Sequence, residues 1–105
     1  MNEKNKRVVI KVDLPKKIKL QFKVFCTHKQ LTMSYIIEEL INKWIQADCY
    51  TDNFVLEPSE ENNQELKGYI FEPLKIEFKI LCVQKGITMR SAIYNLINQW
   101  IEKIN

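Results

Sequence analysis

The chain has 105 residues, 46% of them hydrophobic and 28% charged, with two glycines and a formal net charge of +3. This composition is typical of one globular domain and excludes collagen-like and low-complexity chains. No apolar run approaches the roughly 18 residues of a membrane span and the N-terminus lacks the apolar core of a secretion signal, so we expect no membrane partner. Three cysteines, an odd number, do not suggest a disulfide framework, which favours a reducing, cytoplasmic setting.

The charge is distributed unevenly along the chain. Residues 1–50 hold ten Lys/Arg and five Asp/Glu, whereas residues 51–65 hold five acids and no base. Residues 66–105 hold six bases and three acids. Two basic segments are therefore joined by an acidic connector, a pattern that favours a polyanionic partner for the two segments.

Two stretches of sequence repeat at an offset of 56 residues: "FKVFCTHKQLTMSYIIEELINKWI" from Phe22 and "FKILCVQKGITMRSAIYNLINQWI" from Phe78. Between Leu14–Gln46 and Ile70–Glu102, 13 of 33 aligned positions are identical without a gap. Such self-similarity indicates a duplication. Half a chain of this length is close to the lower limit for independent folding, so we expect the two copies to complete one core.

The duplication predicts three regions. These are a first repeat with a basic N-terminal arm (1–50), an acidic linker (51–64) and a second repeat (65–105). Within the linker, Phe54, Val55 and Leu56 are expected to pin the connector to the body of the domain.

Each repeat begins with a short segment that is predicted to be a strand. "RVVIKVDLP" is rich in β-branched residues and closes with Pro15, whereas "ELKGYIFEP" is a weaker version of the same pattern. Because side chains alternate along a strand, Val8, Ile10, Val12 and Leu14 are predicted to face inward with Leu66 and Ile70, and Gly68 to leave a gap between the last two. The outward residues are Arg7, Val9, Lys11 and Asp13 in the first copy, and Glu65, Lys67 and Tyr69 in the second.

Two helices follow each strand. Apolar residues at helical spacing predict a first helix of about 13 residues, which ends at "THKQ" in one copy and at "VQKG" in the other, where Gly86 suits a left-handed C-cap. Thr32 and Thr88 are placed to be N-caps of the second helices. An apolar stripe runs along each second helix: Ile37, Leu40, Ile41, Trp44 and Ile45 in the first copy, and Ile93, Leu96, Ile97, Trp100 and Ile101 in the second.

A single strand would leave its edge hydrogen bonds unpaired. We therefore expect residues 8–14 to pair antiparallel with residues 65–71. The predicted fold is mainly α, with four helices packed on a small two-stranded antiparallel ribbon.

This order of elements resembles the ribbon-helix-helix DNA-binding family, the group that includes the Met and Arc repressors. The segments "VVIKVDLP", "KKIKLQFKVFC" and "LTMSYIIEELINKWI" carry the likeness, and "KGITMRSAI" is close to the Gly-x-Ser/Thr turn of the family. Most members are homodimers of one such unit. The chain looks like a single-chain form in which two fused units make an intramolecular pseudo-dimer.

The resemblance implies a sequence-selective binder of double-stranded DNA that inserts its ribbon into the major groove. Its role would be that of a transcriptional repressor or of a plasmid partition or DNA-processing accessory factor, without a cofactor. Further copies along the DNA or a partner protein are expected as additional partners. The implied base readers are Val9, Lys11, Asp13, Glu65, Lys67 and Tyr69. The implied phosphate contacts, at the starts of the second helices, are Thr32, Met33, Ser34, Thr88, Met89 and Arg90. The basic N-terminal arm is expected to add Lys4, Lys6 and Arg7 as further phosphate contacts.

Plainer interpretations stand beside these. The lysines of the first helix suit a solvated face, Trp44 and Trp100 suit core or inter-repeat packing, and the thiols at positions 26 and 82 suit small core residues. Cys26 and His28 lie only two residues apart on a helix and do not suit one metal ion. With one histidine, no nucleophile–base pair and no phosphate-binding loop, an enzyme is not expected.

An alternative function is a protein-interaction module, antitoxin-like or a regulatory adaptor, that keeps the fold without specific DNA binding. The acidic outward residues Asp13 and Glu65 motivate it, because a surface lined by phosphate disfavours acids.

Overall fold

The computed structural model describes residues 6–56 and 62–104, which form four helices and one two-stranded antiparallel sheet. The prediction of a mainly helical domain with a small ribbon is confirmed. The last two residues of the predicted linker, Asn63 and Gln64, belong to the second strand. In chain order the elements are β1 (Arg7–Pro15), α1 (Lys16–His28), α2 (Met33–Gln46), β2 (Asn63–Phe71), α3 (Glu72–Lys85) and α4 (Met89–Ile104).

The register of the ribbon follows the sequence repeat. β1 and β2 are antiparallel with Lys11 opposite Lys67, and these two residues are also equivalent under the 56-residue offset. Two residues that are equivalent in the repeats therefore lie on opposite sides of this central pair, one toward each end of the ribbon. The predicted pairing of residues 8–14 with residues 65–71 is confirmed.

The inward side of the ribbon carries the predicted apolar residues. Val8 is half-buried, whereas Ile10, Val12, Leu14, Leu66 and Ile70 are buried. The predicted gap at Gly68 is wrong, because α2 occupies the space: a Cβ at Gly68 would lie 2.9 Å from Cδ1 of Ile37. Glycine thus allows α2 to approach the ribbon closely.

A two-stranded ribbon has two outer edges without a strand partner. Helix side chains bond to the main chain along both of these edges. Ser34 Oγ accepts from the N–H of Tyr69 at 2.9 Å, Glu38 Oε2 accepts from the N–H of Phe71 at 3.0 Å, Lys75 Nζ donates to the Val9 carbonyl at 2.8 Å, and Arg90 Nε donates to the Asp13 carbonyl at 2.8 Å.

The second helix of each repeat begins at a threonine cap. Thr32 Oγ1 accepts from the N–H of Tyr35 at 3.0 Å, and Thr88 Oγ1 accepts from the N–H of Ser91 at 2.9 Å. Both hydroxyls satisfy an amide that the first turn leaves unpaired, which confirms the predicted N-caps.

The turns between the helices show what the duplication conserves and what it changes. Gly86 ends α3 with φ of 70°, which confirms the predicted left-handed C-cap. The equivalent residue of the first repeat, Gln30, has φ of 58°. A side chain is unfavourable in this conformation, so the first repeat holds the same turn at a steric cost.

The mostly aliphatic core also contains aromatic contacts between the repeats. Phe22 and Phe78, both fully buried, each meet a tryptophan of the other repeat edge-on. The ring centroids of Phe22 and Trp100 are 5.5 Å apart at 77°, and those of Phe78 and Trp44 are 5.6 Å apart at 83°. The two contacts, the crossed aromatic pairs, confirm the prediction that the tryptophans serve core and inter-repeat packing.

The helices follow the same crossed pattern. α2 packs against β2 and α4 packs against β1, so that the second helix of each repeat covers the strand of the other. α2 and α4 also contact each other between the two first helices. None of the helices within residues 6–56 and 62–104 is long and apolar enough to cross a membrane.

The described part of the connector lies against both second helices. Phe54 stacks on Trp44 with centroids 6.2 Å apart, and the side chain of Asn95, 1% exposed, accepts from the N–H of Val55 at 2.8 Å and donates to its carbonyl at 3.0 Å. The prediction for Leu56 is wrong, because its side chain is 95% exposed. The ring of Phe54 and the main-chain hydrogen bonds of Val55 hold the connector. The Leu56 side chain therefore does not need to be buried.

The cysteines are free, buried thiols. Cys26 and Cys82 occupy equivalent core positions, as predicted, and burial raises the pKa of each to about 11. A thiol that resists ionisation is a poor nucleophile and a poor metal ligand.

Candidate nucleic-acid interface

The outward side of the ribbon, the ribbon face, brings the six predicted base readers together. Val9 is half-buried and the other five are exposed. Cross-strand neighbours form three pairs along the face: Val9 with Tyr69, Lys11 with Lys67, and Asp13 with Glu65.

The two lysines lie at the centre of this face. The main chains of Val9 and Tyr69, the neighbouring pair on this face, bond to helix side chains instead of to each other. Hydrogen-bonded and non-hydrogen-bonded pairs alternate along an antiparallel ladder, so the pair formed by Lys11 and Lys67 is also non-hydrogen-bonded. Side chains approach each other most closely at such pairs.

Like charges directly opposite each other are unfavourable in a sheet. Lys11 and Lys67 are thus placed where a partner rich in acceptors is most favourable. The guanine O6 and N7 atoms in the major groove are acceptors of this kind.

The two ends of the ribbon face differ in chemistry. Val9 and Tyr69 make one end apolar and aromatic, whereas Asp13 and Glu65 make the other end acidic. Lys67 Nζ lies 3.9 Å from Glu65 Oε1, with both side chains about half exposed, and an ion pair of this kind is weak. The face therefore combines a basic centre, an apolar end and an acidic end.

The N-terminal ends of α2 and α4 flank the ribbon. Ser34, in the first turn of α2, bonds to Tyr69 at one edge, and Arg90, in the first turn of α4, bonds to Asp13 at the other edge. Ser34 and Arg90 are equivalent in the repeat, and so are Asp13 and Tyr69. The predicted phosphate contacts at the helix starts thus lie beside the ribbon on both edges: Thr32, Met33, Ser34, Thr88, Met89 and Arg90.

The side chains of these helix starts already have structural partners. The two threonine hydroxyls cap the helices, and the serine hydroxyl and the arginine Nε hold the ribbon edges. The main-chain N–H groups of the first turn precede the first intrahelical donors, which are Ile36 in α2 and Ala92 in α4. Such amides, together with the helix dipole, favour an anion at the helix end.

The predicted basic arm is only partly described. Lys4 lies outside the described residues. Lys6 Nζ lies 3.7 Å from Glu72 Oε2, with the lysine side chain 62% exposed. Arg7 contacts Glu38 Oε2 at 3.1 Å and lies 4.1 Å above the ring of Phe71. The structure gives Arg7 a role in fixing the end of the ribbon, and a phosphate contact by this residue stays a prediction.

Sequence reasoning missed two residues that hold the ribbon. Glu38 binds both Arg7 and the N–H of Phe71, and Lys75 binds the carbonyl of Val9. One signal was present for Glu38, because this acid directly follows Ile37 in the apolar stripe of α2. No sequence pattern distinguishes Lys75 from the solvated lysines around it.

The residues that carry other chemistries are dispersed. In the described part of the chain, no three His, Cys, Asp or Glu side chains form a group that could hold a metal ion. His28 is exposed and Cys26 is buried. Among the lysines of α1, only Lys19 is half-buried and the others are exposed, as expected of a solvated face.

No protein-family model, curated protein or solved structure matches this chain.

Proposed function

We propose that this chain is a tandem ribbon-helix-helix protein that binds double-stranded DNA sequence-selectively through its ribbon face. The observation that supports this most is the ribbon itself. Its outward side is exposed, two lysines meet at its centre, and a helix N-terminus lies beside each edge. The major groove of B-DNA, about 12 Å wide, admits a two-stranded ribbon of this kind.

The two repeats act in this proposal as an intramolecular pseudo-dimer. The crossed aromatic pairs support it, and so does the packing of the second helix of each repeat on the strand of the other. Residues of both repeats thus form one shared core. A tether within one chain replaces a concentration-dependent dimer with an intramolecular contact. The two halves are then free to differ, so the bound DNA sequence need not be palindromic.

Each side chain of the ribbon face has a distinct proposed role in the groove. Lys11 and Lys67 donate to guanine, Asp13 and Glu65 accept from the cytosine amino group, and Val9 contacts a thymine methyl. Tyr69, 53% exposed, supplies a ring and a hydroxyl at the apolar end. The amides at the starts of α2 and α4 hold phosphates and set the position of the ribbon without reading sequence.

The proposed biological role is transcriptional repression, plasmid partition or an accessory role in DNA processing. Such a protein would act in the cytoplasm, on the nucleoid or on a plasmid. Further copies bound along the same DNA are part of this proposal.

A gel-shift experiment with DNA selected from a random pool tests the reading role. We expect Lys11→Ala and Lys67→Ala each to weaken selected-site binding about tenfold, within the range for one lost base contact. The matched control is Lys23→Ala with Lys79→Ala, equivalent exposed lysines of α1 and α3, which should retain sequence preference. Unchanged affinity and selectivity in both ribbon variants would remove the ribbon from the reading role.

Salt dependence tests the phosphate contacts separately. If about six phosphates are neutralised, the logarithm of the affinity should fall with the logarithm of salt concentration at a slope near −5. A slope close to zero would contradict contacts with the DNA backbone.

The acidic end of the ribbon and the outer faces of α1 and α3 favour a second candidate, a protein-interaction module. Leu20 and Val24 on α1 are exposed, and so are their equivalents Ile76 and Ile80 on α3. A salt-insensitive complex with a protein, together with no retention on DNA or heparin, would favour this function over DNA binding.

A further inference from the structure

A cavity lies between α2, α4 and the connector, and the DNA-binding proposal does not use it. Its volume is about 260 Å³, and its lining includes residues of both repeats. Trp44 lies late in α2 and Trp100 late in α4, whereas Ser34 and Arg90, which hold the ribbon edges, lie in the first turns of these helices. The cavity is thus at the opposite end of the two helices from the ribbon.

Aromatic rings form much of the wall of this cavity. Both tryptophans of the chain line it, together with Tyr50, which directly precedes the connector, and Phe54 within the connector. Trp44 is fixed from several sides, because it stacks on Phe54, meets Phe78 edge-on and donates from Nε1 to the carbonyl of Tyr50 at 3.0 Å. A wall of fixed, flat rings favours a flat, aromatic ligand.

One polar group at the cavity lacks a partner. Gln99 Nε2 is buried and has no hydrogen-bond partner among the described residues. A buried amide donor without an acceptor is unfavourable, so it gains a hydrogen bond if the side chain turns toward a ligand that brings an acceptor into the cavity.

The described residues that line the cavity carry charge of one sign. Lys43 and Lys103 line it, and none of the lining residues that the structure describes is an acid. Both lysines are exposed, so they stand at the solvent side of the cavity. An acceptor that carries a negative charge suits this surface better than a neutral one.

We propose that this cavity binds a planar aromatic carboxylate. The ring lies against Trp100 and Tyr50, the carboxylate accepts from Gln99 Nε2 after this side chain turns toward the cavity, and Lys43 and Lys103 balance the charge. This site is independent of the proposed DNA binding, because it is remote from the ribbon and its occupation is measured without DNA. Because the ligand binds the folded cavity and not the unfolded chain, it also raises the thermal unfolding temperature.

Calorimetric titration with two matched compounds tests the chemistry. Naphthalene-2-carboxylate is the probe, and naphthalene-2-carboxamide is its neutral counterpart of the same shape. We expect saturable binding of the carboxylate and about tenfold weaker binding of the amide, a difference of one lost charged interaction. Tryptophan emission gives a second readout, because both tryptophans line the cavity.

Three variants test the residues. Gln99→Leu removes the unpaired donor, and we expect it to weaken carboxylate binding about tenfold, whereas the same exchange at the exposed Gln84 leaves binding unchanged. The double variant Lys43→Gln with Lys103→Gln changes only exposed side chains, and it should also weaken binding. It keeps the proposal testable if Gln99→Leu does not fold. Absence of saturable binding, equal affinity for the two compounds, or undiminished binding by both the leucine and the double variant would overturn the proposal.

Discussion

At the scale of single residues, Gln30 has an unfavourable backbone conformation in the turn that both repeats share. It holds a left-handed conformation at φ of 58°, where the second repeat has Gly86 at φ of 70°. Because a side chain costs about 1–2 kcal/mol in this region, we expect Gln30→Gly to raise the free energy of unfolding by about 1 kcal/mol. Denaturant titration of the purified protein measures the change.

The reverse substitution is the control for this prediction. Gly86→Gln introduces a side chain at the equivalent left-handed position and should lower the free energy of unfolding by a similar amount, about 1 kcal/mol. No atom of the described residues lies within 4 Å of a Cβ added at Gly86, so the change in stability reports the backbone conformation and no clash. A loss of stability in Gln30→Gly would contradict this account of the turn.

The buried thiols predict a pH dependence. Burial raises the pKa of Cys26 and of Cys82 to about 11, from an ordinary value of 9.0. Between these values the native state keeps protons that the unfolded chain has lost, so the free energy of unfolding should fall as the pH rises above about 9. Below that pH neither thiol contributes to the slope.

Unfolding titrations between pH 7 and pH 10.5 measure this effect, with Cys26→Ala and Cys82→Ala as the comparison. Each alanine variant is expected to be less stable than the parent at pH 7 and to lose stability less steeply above pH 9. If the free energy of unfolding falls with the same slope above pH 9 in the parent and in both variants, the pKa values of these thiols do not differ between the native and unfolded states.

At the scale of elements, the ribbon depends on the helix side chains that bond to its edges. Glu38 is the main example, because it accepts from the N–H of Phe71 and pairs with Arg7, and its side chain is only 14% exposed. Removing it leaves the partly buried N–H of Phe71 without its acceptor and leaves Arg7 with only the carbonyl of Tyr69, at 3.3 Å, as a hydrogen-bond acceptor among the described residues. We expect Glu38→Ala to lower the free energy of unfolding by about 1.5–3 kcal/mol, the range for bonds to charged groups.

The neighbouring acid provides the control. Glu39→Ala changes the same residue type one position along α2, and Glu39 has no bond to the ribbon among the described residues. Glu39 is half-buried and its carboxylate interacts with the exposed hydroxyl of Tyr35, so its removal should lower the free energy of unfolding by less, about 0.5 kcal/mol. Equal effects of the two substitutions would mean that the edge bonds contribute little to the ribbon.

At the scale of the whole molecule, the crossed aromatic pairs predict which substitutions interact. Phe22 contacts Trp100, and so a double-mutant cycle with Phe22→Leu and Trp100→Leu should give a coupling energy of about 0.5–1.5 kcal/mol. The cycle of Phe22→Leu with Trp44→Leu uses the same residue types within one repeat and should give a smaller coupling. Stronger coupling within the repeat than across it would contradict the crossed packing.

Much of the fold could be predicted from the sequence where local rules and the duplication agree. Alternation predicted the two sides of the ribbon, and the unpaired strand edges predicted the antiparallel pairing, whereas the register that sets Lys11 opposite Lys67 comes from the structure. The exposure of the predicted base readers follows from the same alternation. Their function on DNA stays a prediction that only binding measurements test.

The rest could not be predicted because it depends on contacts between distant segments. Periodicity places Trp44 and Trp100 on apolar stripes, and it does not say which repeat each one faces. The closeness of Ile37 to Gly68, and the burial of Asn95 beneath the connector, likewise require the positions of helices that no local pattern provides.

The crossed aromatic pairs also limit how the two repeats can diverge. A change in the size of the Trp100 side chain alters the packing of Phe22, near the other end of the chain, and a change at Trp44 alters the packing of Phe78. A mutation in one repeat should therefore be compensated by a mutation in the other repeat. If one repeat were replaced by that of a diverged relative, it would pack poorly unless the second repeat of the same relative were introduced as well.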